Sequence, residues 1–120
     1  MSGNSKKVAL VTGAGRGIGK AAACVLAKAG MHVFLLSRTA AEIQNTQKQI
    51  EQSGGSAEAI VCDVADPSAV SKLFGRIREK SGLDVLINNA AVLHEAPFVS
   101  QKLEDWDRVM AVNVRGAFIC

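Results

Sequence analysis

Lys7-Val8-Ala9-Leu10-Val11-Thr12 runs straight into Gly13-Ala14-Gly15-Arg16-Gly17-Ile18-Gly19. An apolar run that meets a glycine cluster and then a helical pattern predicts a strand, a tight turn and a helix. Such a turn leaves backbone N–H groups unpaired at a helix N-terminus, where the helix dipole favours an anion. Glycines let that backbone approach a ligand with no Cβ in the way. The chemistry these residue types allow is a phosphate cradle. Gly17-x-Gly19-x-x-Ala22 also satisfies the general dinucleotide fingerprint, with alanine in the last place for close helix–sheet packing. Gly13 adds to it. Without a ligand the same turn serves only as a helix entry.

A second group stands about 20 residues beyond the glycines, where an acidic side chain would hold the adenosine ribose hydroxyls of NAD. Ser37-Arg38 occupies that place instead. A guanidinium there suits a ribose 2′-phosphate, the neighbouring hydroxyl offers a further hydrogen bond, and Arg16 in the glycine turn adds positive charge. The expected cofactor is therefore NADP(H) in preference to NAD(H), although a lone surface arginine is commonly just solvated. For acid–base work the local chemistry offers His94, with Glu95 as its near carboxylate; a loop histidine is more often simply exposed. Glu104, Asp105 and Asp107 read as the negative first turn of a helix.

The elements that must position these residues alternate along the chain. Residues 7–12 form the first expected strand and Gly17 to Lys28 the first helix, closed by Gly30. Met31 to Leu36 is a second strand, Ala40 to Gln52 a polar helix stopped by Gly54-Gly55, and Ala57 to Cys62 a third strand. Asp66-Pro67 starts a third helix as N-cap and first helical residue, with Val70, Leu73, Phe74 and Ile77 on one face. Asp84 to Asn88 is a fourth strand, followed by a loop through Pro97 and a helix from Leu103 to the last residue. Unbroken apolar strands alternating with helices predict an α/β fold, a Rossmann-type doubly wound parallel sheet. Right-handed crossovers give the strand order 3-2-1-4.

The bulk properties narrow the function classes. One hundred and twenty residues suit a single domain, 1–120, and 48% apolar with 21% charged residues permits a packed core. The net charge of +3 is mild and its cations are scattered; four Phe, one Trp and no Tyr leave little for nucleic-acid stacking, so no nucleic-acid partner is expected. Cys24, Cys62 and Cys120 are odd in number and unpaired in spacing, which argues for small buried hydrophobes in a reducing compartment, with neither a disulfide framework nor a metal site. Met1 to Asn4 show no signal-peptide pattern, and no apolar run reaches the ~20 residues needed to span a bilayer. A cytoplasmic location away from membranes is expected.

Thr12-Gly13-Ala14-Gly15-Arg16-Gly17-Ile18-Gly19, Asp63-Val64, Asn88-Asn89-Ala90 and the stretch from Trp106 to Gly116 together resemble the short-chain dehydrogenase/reductase family, in order and in approximate spacing. The resemblance runs from Lys7 to the last residue and is strongest to the branch that reduces 3-oxoacyl thioesters, ketones and related carbonyls. It implies that Gly13, Gly17, Ile18 and Gly19 hold a pyrophosphate, that Asp63 and Val64 contact the adenine, and that Asn89 and Ala90 lie beside the cofactor ribose. Asn113 would organise a water in the proton relay. From the residues alone, Asp63 also reads as a turn cap and Asn113 as a structural hydrogen-bonder. Ala91 stands where the family carries glycine. The resemblance further implies a serine and a Tyr-x-x-x-Lys for catalysis; neither falls within the 120 residues, which contain no tyrosine. The resemblance therefore reads the chain as the amino-terminal half of the fold, truncated after its fourth strand and helix. Such a half is expected to leave Val109, Val112, Ala117, Phe118 and Ile119 partly bare and to self-associate, the complete protein being a homo-oligomer through the fourth-helix region. The alternative is a non-catalytic module that binds nucleotide weakly or pairs with full-length relatives.

Overall fold

The computed structural model describes residues 6–120, so the expectation drawn from Met1 to Asn4 lies outside the described residues. The alternating elements are β1 (Val8–Thr12), α1 (Gly17–Lys28), β2 (His32–Ser37), α2 (Ala40–Gln52), β3 (Ser56–Val61), α3 (Pro67–Lys80) and β4 (Val85–Ile87). The strands form one sheet in the order β3-β2-β1-β4, and every pairing is parallel. That is the topology the sequence pattern predicts.

Alternation within β1 and β2 explains why their sequences read as unbroken apolar runs. Ala9, Val11, Val33 and Leu35 face α1 and α2, where they meet Ala23, Ala27, Ile43 and Ile50. Val8, Leu10, Phe34 and Leu36 face the other side and meet Val70, Leu73 and Ile77 of α3. Successive side chains point to opposite faces, and here both faces are covered. The N-cap of α3 is formed as expected: the Asp66 carboxylate accepts hydrogen bonds from the Ser68 and Ala69 N–H groups, and Pro67 takes the first helical position. Cys62 is buried, whereas Cys24 and Cys120 are only half-buried, less enclosed than their apolar contexts suggest.

Two differences from the sequence expectation bear on the site. First, β4 has three residues instead of five, because both ends are claimed by other bonds. Asp84 closes on β1 through its carboxylate, which accepts from Val8 N at 2.8 Å, while Asn89 N turns aside to the Thr12 hydroxyl. Second, the final helix is not uniform. After a 3₁₀ turn at Phe98–Ser100, α4 (Leu103–Met110) passes into a π-helical turn at Ala111–Gly116 and a closing turn, α5 (Ala117–Ile119). The widened turn brings Gly116 against Val64; a Cβ on Gly116 would stand 2.8 Å from a Val64 methyl. It also buries Val112 at 4% exposure, against expectation, whereas Val109, Ala117 and Ile119 are half-buried and Phe118 is exposed, as expected. With Phe118, the exposed stripe includes Leu103, Trp106, Met110 and Val114, which the sequence does not single out as bare. Among the described residues no helix is long and apolar enough to cross a membrane.

Candidate functional site

The glycine turn after β1 has the backbone its composition suggests. Gly13 and Gly17 adopt φ of +67° and +58°, a region that strains other residues. A Cβ at Gly17 would meet nothing within 4 Å, so that face is open. Gly19 has a different purpose: a Cβ there would lie 2.1 Å from the Gly13 carbonyl oxygen, so only glycine lets α1 close on the turn. Arg16 precedes α1 without a side-chain cap, which leaves the first N–H groups of the helix for another partner. Ile18 is 81% exposed and does not line the groove at the carboxyl ends of the strands, while its backbone N–H lies in the first turn of α1.

A buried hydroxyl joins this turn to the end of β4. Thr12 is 1% exposed, and its Oγ1 accepts from both Asn89 N and Ala90 N at 2.9 Å. The Asn89 side chain answers by donating from Nδ2 to the Gly13 carbonyl at 3.1 Å. Thr46 fixes the other side, donating to the Ala14 carbonyl at 3.2 Å and so tying α2 to the turn. Thr12 opens the glycine motif in the sequence without a role of its own, and Thr46 did not stand out. A hydroxyl immediately before the glycines was the available signal for Thr12.

Between these supports runs a groove of about 370 Å³ at the carboxyl ends of the strands. Gly13, Arg16 and Gly17 form one wall; Ser37 and Arg38, at the end of β2, form another. Asp63, Val64, Asn89 and Ala90 complete it, with Ala91, Cys62 and Val112 also lining it. The groove thus gathers nine of the residues singled out from the sequence, and leaves Ile18, Gly19 and Asn113 outside its lining. Ser37 Oγ accepts from Thr39 N at 3.0 Å, which orients the hydroxyl at the mouth of the groove. Glu42, from the first turn of α2, lies in the same wall, 4.0 Å from the Arg16 guanidinium.

The electrostatics are set by what faces each group. Burial works against the charge of Asp63, but the Ala65 N–H, the Arg108 guanidinium and the more distant Arg38 outweigh it and hold the carboxyl below the usual aspartate range. The bonds concerned are Ala65 N to Oδ1 at 2.9 Å and Arg108 to Oδ2 at 3.1 Å. Asp63 is therefore a fixed carboxylate, in part the turn cap its sequence context allows. Burial, followed by the Asp63 and Asp66 charges, pushes the Cys62 thiol up, so it stands in the wall as a neutral thiol.

Asn113 sits on the π-helical turn with both amide atoms engaged. Its Oδ1 accepts from Val92 N at 2.8 Å and its Nδ2 donates to the Val92 carbonyl at 2.9 Å. The side chain thereby clamps the loop that follows β4. His94, in the same loop, has a carboxylate partner that the sequence did not offer: Nε2 stands 3.3 Å from Oδ2 of Asp105 in α4, so Glu95 is not the partner that matters. Among the described residues no three His, Cys, Asp or Glu side chains are grouped to hold a metal ion.

Residues 7–120 match the family described as short chain dehydrogenase. The chain is 41% identical to a 3-oxoacyl-[acyl-carrier-protein] reductase from Synechocystis, an alignment covering 100% of this chain and 49% of that protein. The fold superposes on a metagenomic short-chain oxidoreductase in complex with NADP at a TM-score of 0.89, with 35% identity, covering 94% of this chain and 52% of the other. A gluconate 5-dehydrogenase from Burkholderia cenocepacia, in complex with NADP and tartrate, gives a TM-score of 0.83 at 33% identity, with 93% and 44% covered. The chain spans about half the length of the curated relatives it matches.

Proposed function

The chain belongs to the short-chain dehydrogenase family, and from that premise we propose that it is the NADP(H)-binding half of a reductase or dehydrogenase acting on a small-molecule carbonyl or alcohol. The observation that carries this reading is the groove itself, in which an open, uncapped helix N-terminus at Gly17 shares one cavity with Ser37 and Arg38. The residues fit a dinucleotide: the turn has room where a phosphate would approach, and the end of β2 presents a guanidinium and an oriented hydroxyl where an NAD-binding chain would present an acid. A bound nicotinamide dinucleotide supplies or accepts a hydride.

The chain's own residues bind and orient it. Gly13, Gly17, Ile18 and Gly19 hold the pyrophosphate at the α1 N-terminus, Ile18 through its N–H and Gly19 by letting helix and turn close. Ser37 and Arg38, with Arg16, neutralise the 2′-phosphate. Asp63 keeps an acceptor ionised and fixed for the adenine amino group, and Val64 packs beside the ring. Asn89 and Ala90, anchored on Thr12, lie against the ribose, and the Ala91 methyl is accommodated nearby. We place Asn113 in the proton relay, where it organises water with the donor and acceptor capacity its amide keeps beside the Val92 pair. The NADP complexes of two structural neighbours support the cofactor choice.

The proposal includes a cytoplasmic protein with neither nucleic acid nor membrane as partner, assembled as a homo-oligomer through the exposed stripe of α4 and the turns after it. Its test is hydride transfer: NADPH consumption with a ketone or 3-oxoacyl thioester by the natural protein supports it, and absence of turnover with any carbonyl tried, despite tight NADPH binding, contradicts the reductase part. The absence of tyrosine from these 120 residues favours a second reading for a protein limited to them, a module that binds nucleotide without turning it over. Co-purification with a full-length relative distinguishes it.

A further inference from the structure

Glu42 is an anomaly in a wall built to attract a phosphate. It lies in the groove beside Arg16, Ser37 and Arg38, with its carboxylate 4.0 Å from the Arg16 guanidinium. The other nearby carboxylate, Asp63, is already committed to Ala65 N and Arg108. Among the described residues Glu42 makes no such side-chain hydrogen bond, and Arg16 is the cation it faces. Two features bring it there. A Cβ on Gly15 would stand 2.6 Å from Glu42 Cβ, so glycine alone lets the first turn of α2 pack against the glycine turn. Thr46 then fastens that contact by donating to both the Ala14 and Glu42 carbonyls at 3.2 Å.

We propose that Glu42 is a specificity-determining residue: a built-in counter-anion that competes for Arg16 and holds down the groove's preference for a ribose 2′-phosphate. This rests on the nucleotide reading above and deepens it. A phosphate dianion that arrives between Arg16 and Arg38 competes with the Glu42 carboxylate for the exposed Arg16 guanidinium and stays near the carboxylate's charge. A ligand that carries only ribose hydroxyls meets neither cost. The residue therefore discriminates between two ligands that differ at one position, and it keeps the groove usable by both. An acid in the first turn of a helix also suits the helix dipole, but that role acts on folding and on all ligands alike.

The test separates the two roles by using probes of the adenosine end alone. Binding of 2′,5′-ADP and of 5′-AMP is measured calorimetrically for the wild type, Glu42→Gln, and Glu42→Ser as a second charge-removing variant. Removing one screened unit charge near a dianion is expected to tighten 2′,5′-ADP about fivefold while 5′-AMP changes by less than about twofold. In an Arg16→Gln background the gain should shrink, because the competition is for Arg16. An unchanged ratio of the two affinities, or an equal shift in both, overturns the inference and leaves the nucleotide reading intact. Failure of the wild type to bind either probe overturns the nucleotide reading and this inference with it.

Discussion

Arg38 is the residue on which cofactor choice turns, and its substitution by aspartate replaces a phosphate-binding guanidinium with the acid that suits ribose hydroxyls. Arg38→Asp is expected to weaken NADPH binding about tenfold to a hundredfold, as loss of a charge-assisted hydrogen bond does. NADH binding should hold or improve. Unchanged relative affinities in a fluorescence titration would refute the assignment. Thr12 makes a sharper structural prediction. Thr12→Val keeps the shape but leaves the Asn89 and Ala90 N–H groups without an acceptor, so urea melts should show a loss of about 2 kcal/mol or more. At this scale the sequence pointed to nine of the residues that line the groove, because glycine spacing and the residues after β2 carry their chemistry in their types, while Ile18, Gly19 and Asn113 lie outside that lining. It did not show the roles of Thr12, Thr46 or Glu42, which lie in the backbone groups or, for Glu42, the Arg16 guanidinium that the fold brings opposite them.

Among the elements, α4 and the turns after it differ most from expectation. Residue periodicity predicts one helix from Leu103 onward, since the apolar spacing is compatible with it. The π-helical turn carries contacts that periodicity does not encode, Asn113 with Val92 and Gly116 close against Val64, and α4 before it pairs Arg108 with Asp63. Asn113→Ala removes both bonds to Val92 and is expected to cost about 1–2 kcal/mol, the protein partners being half-exposed. Faster amide exchange at Val92 would accompany it. The Asp63 pair makes a pH prediction. Its folded pKa lies below the unfolded value, so the stability it contributes is present above the unfolded aspartate value and is lost as pH falls through the lower folded one. Asp63→Asn should therefore flatten the acid limb of the stability curve. An acid limb unchanged in that variant would show that the Arg108 pair contributes nothing there.

For the molecule as a whole, the order β3-β2-β1-β4 followed from unbroken apolar strands, which burial of both sheet faces requires, and from right-handed crossovers, a consequence of chain chirality. What could not be read was where the last helix turns its apolar side. Val112 faces the groove, and Leu103, Trp106, Met110, Val114 and Phe118 are left exposed. A stripe of that size is a candidate surface for association. Residues 1–120 on their own are expected to self-associate, and Trp106→Glu with Phe118→Glu should reduce the apparent mass in light scattering. A clean monomer with a cooperative melt in the unsubstituted chain would contradict this.

The measurement that bears most directly on the central claim is calorimetric titration of the protein with NADPH and NADH side by side. The account predicts that both bind in the groove and that NADPH binds more tightly, with the difference narrowing as salt screens Arg16 and Arg38. Equal affinities at low salt, or binding that survives substitution of both Gly17 and Arg38, would contradict it.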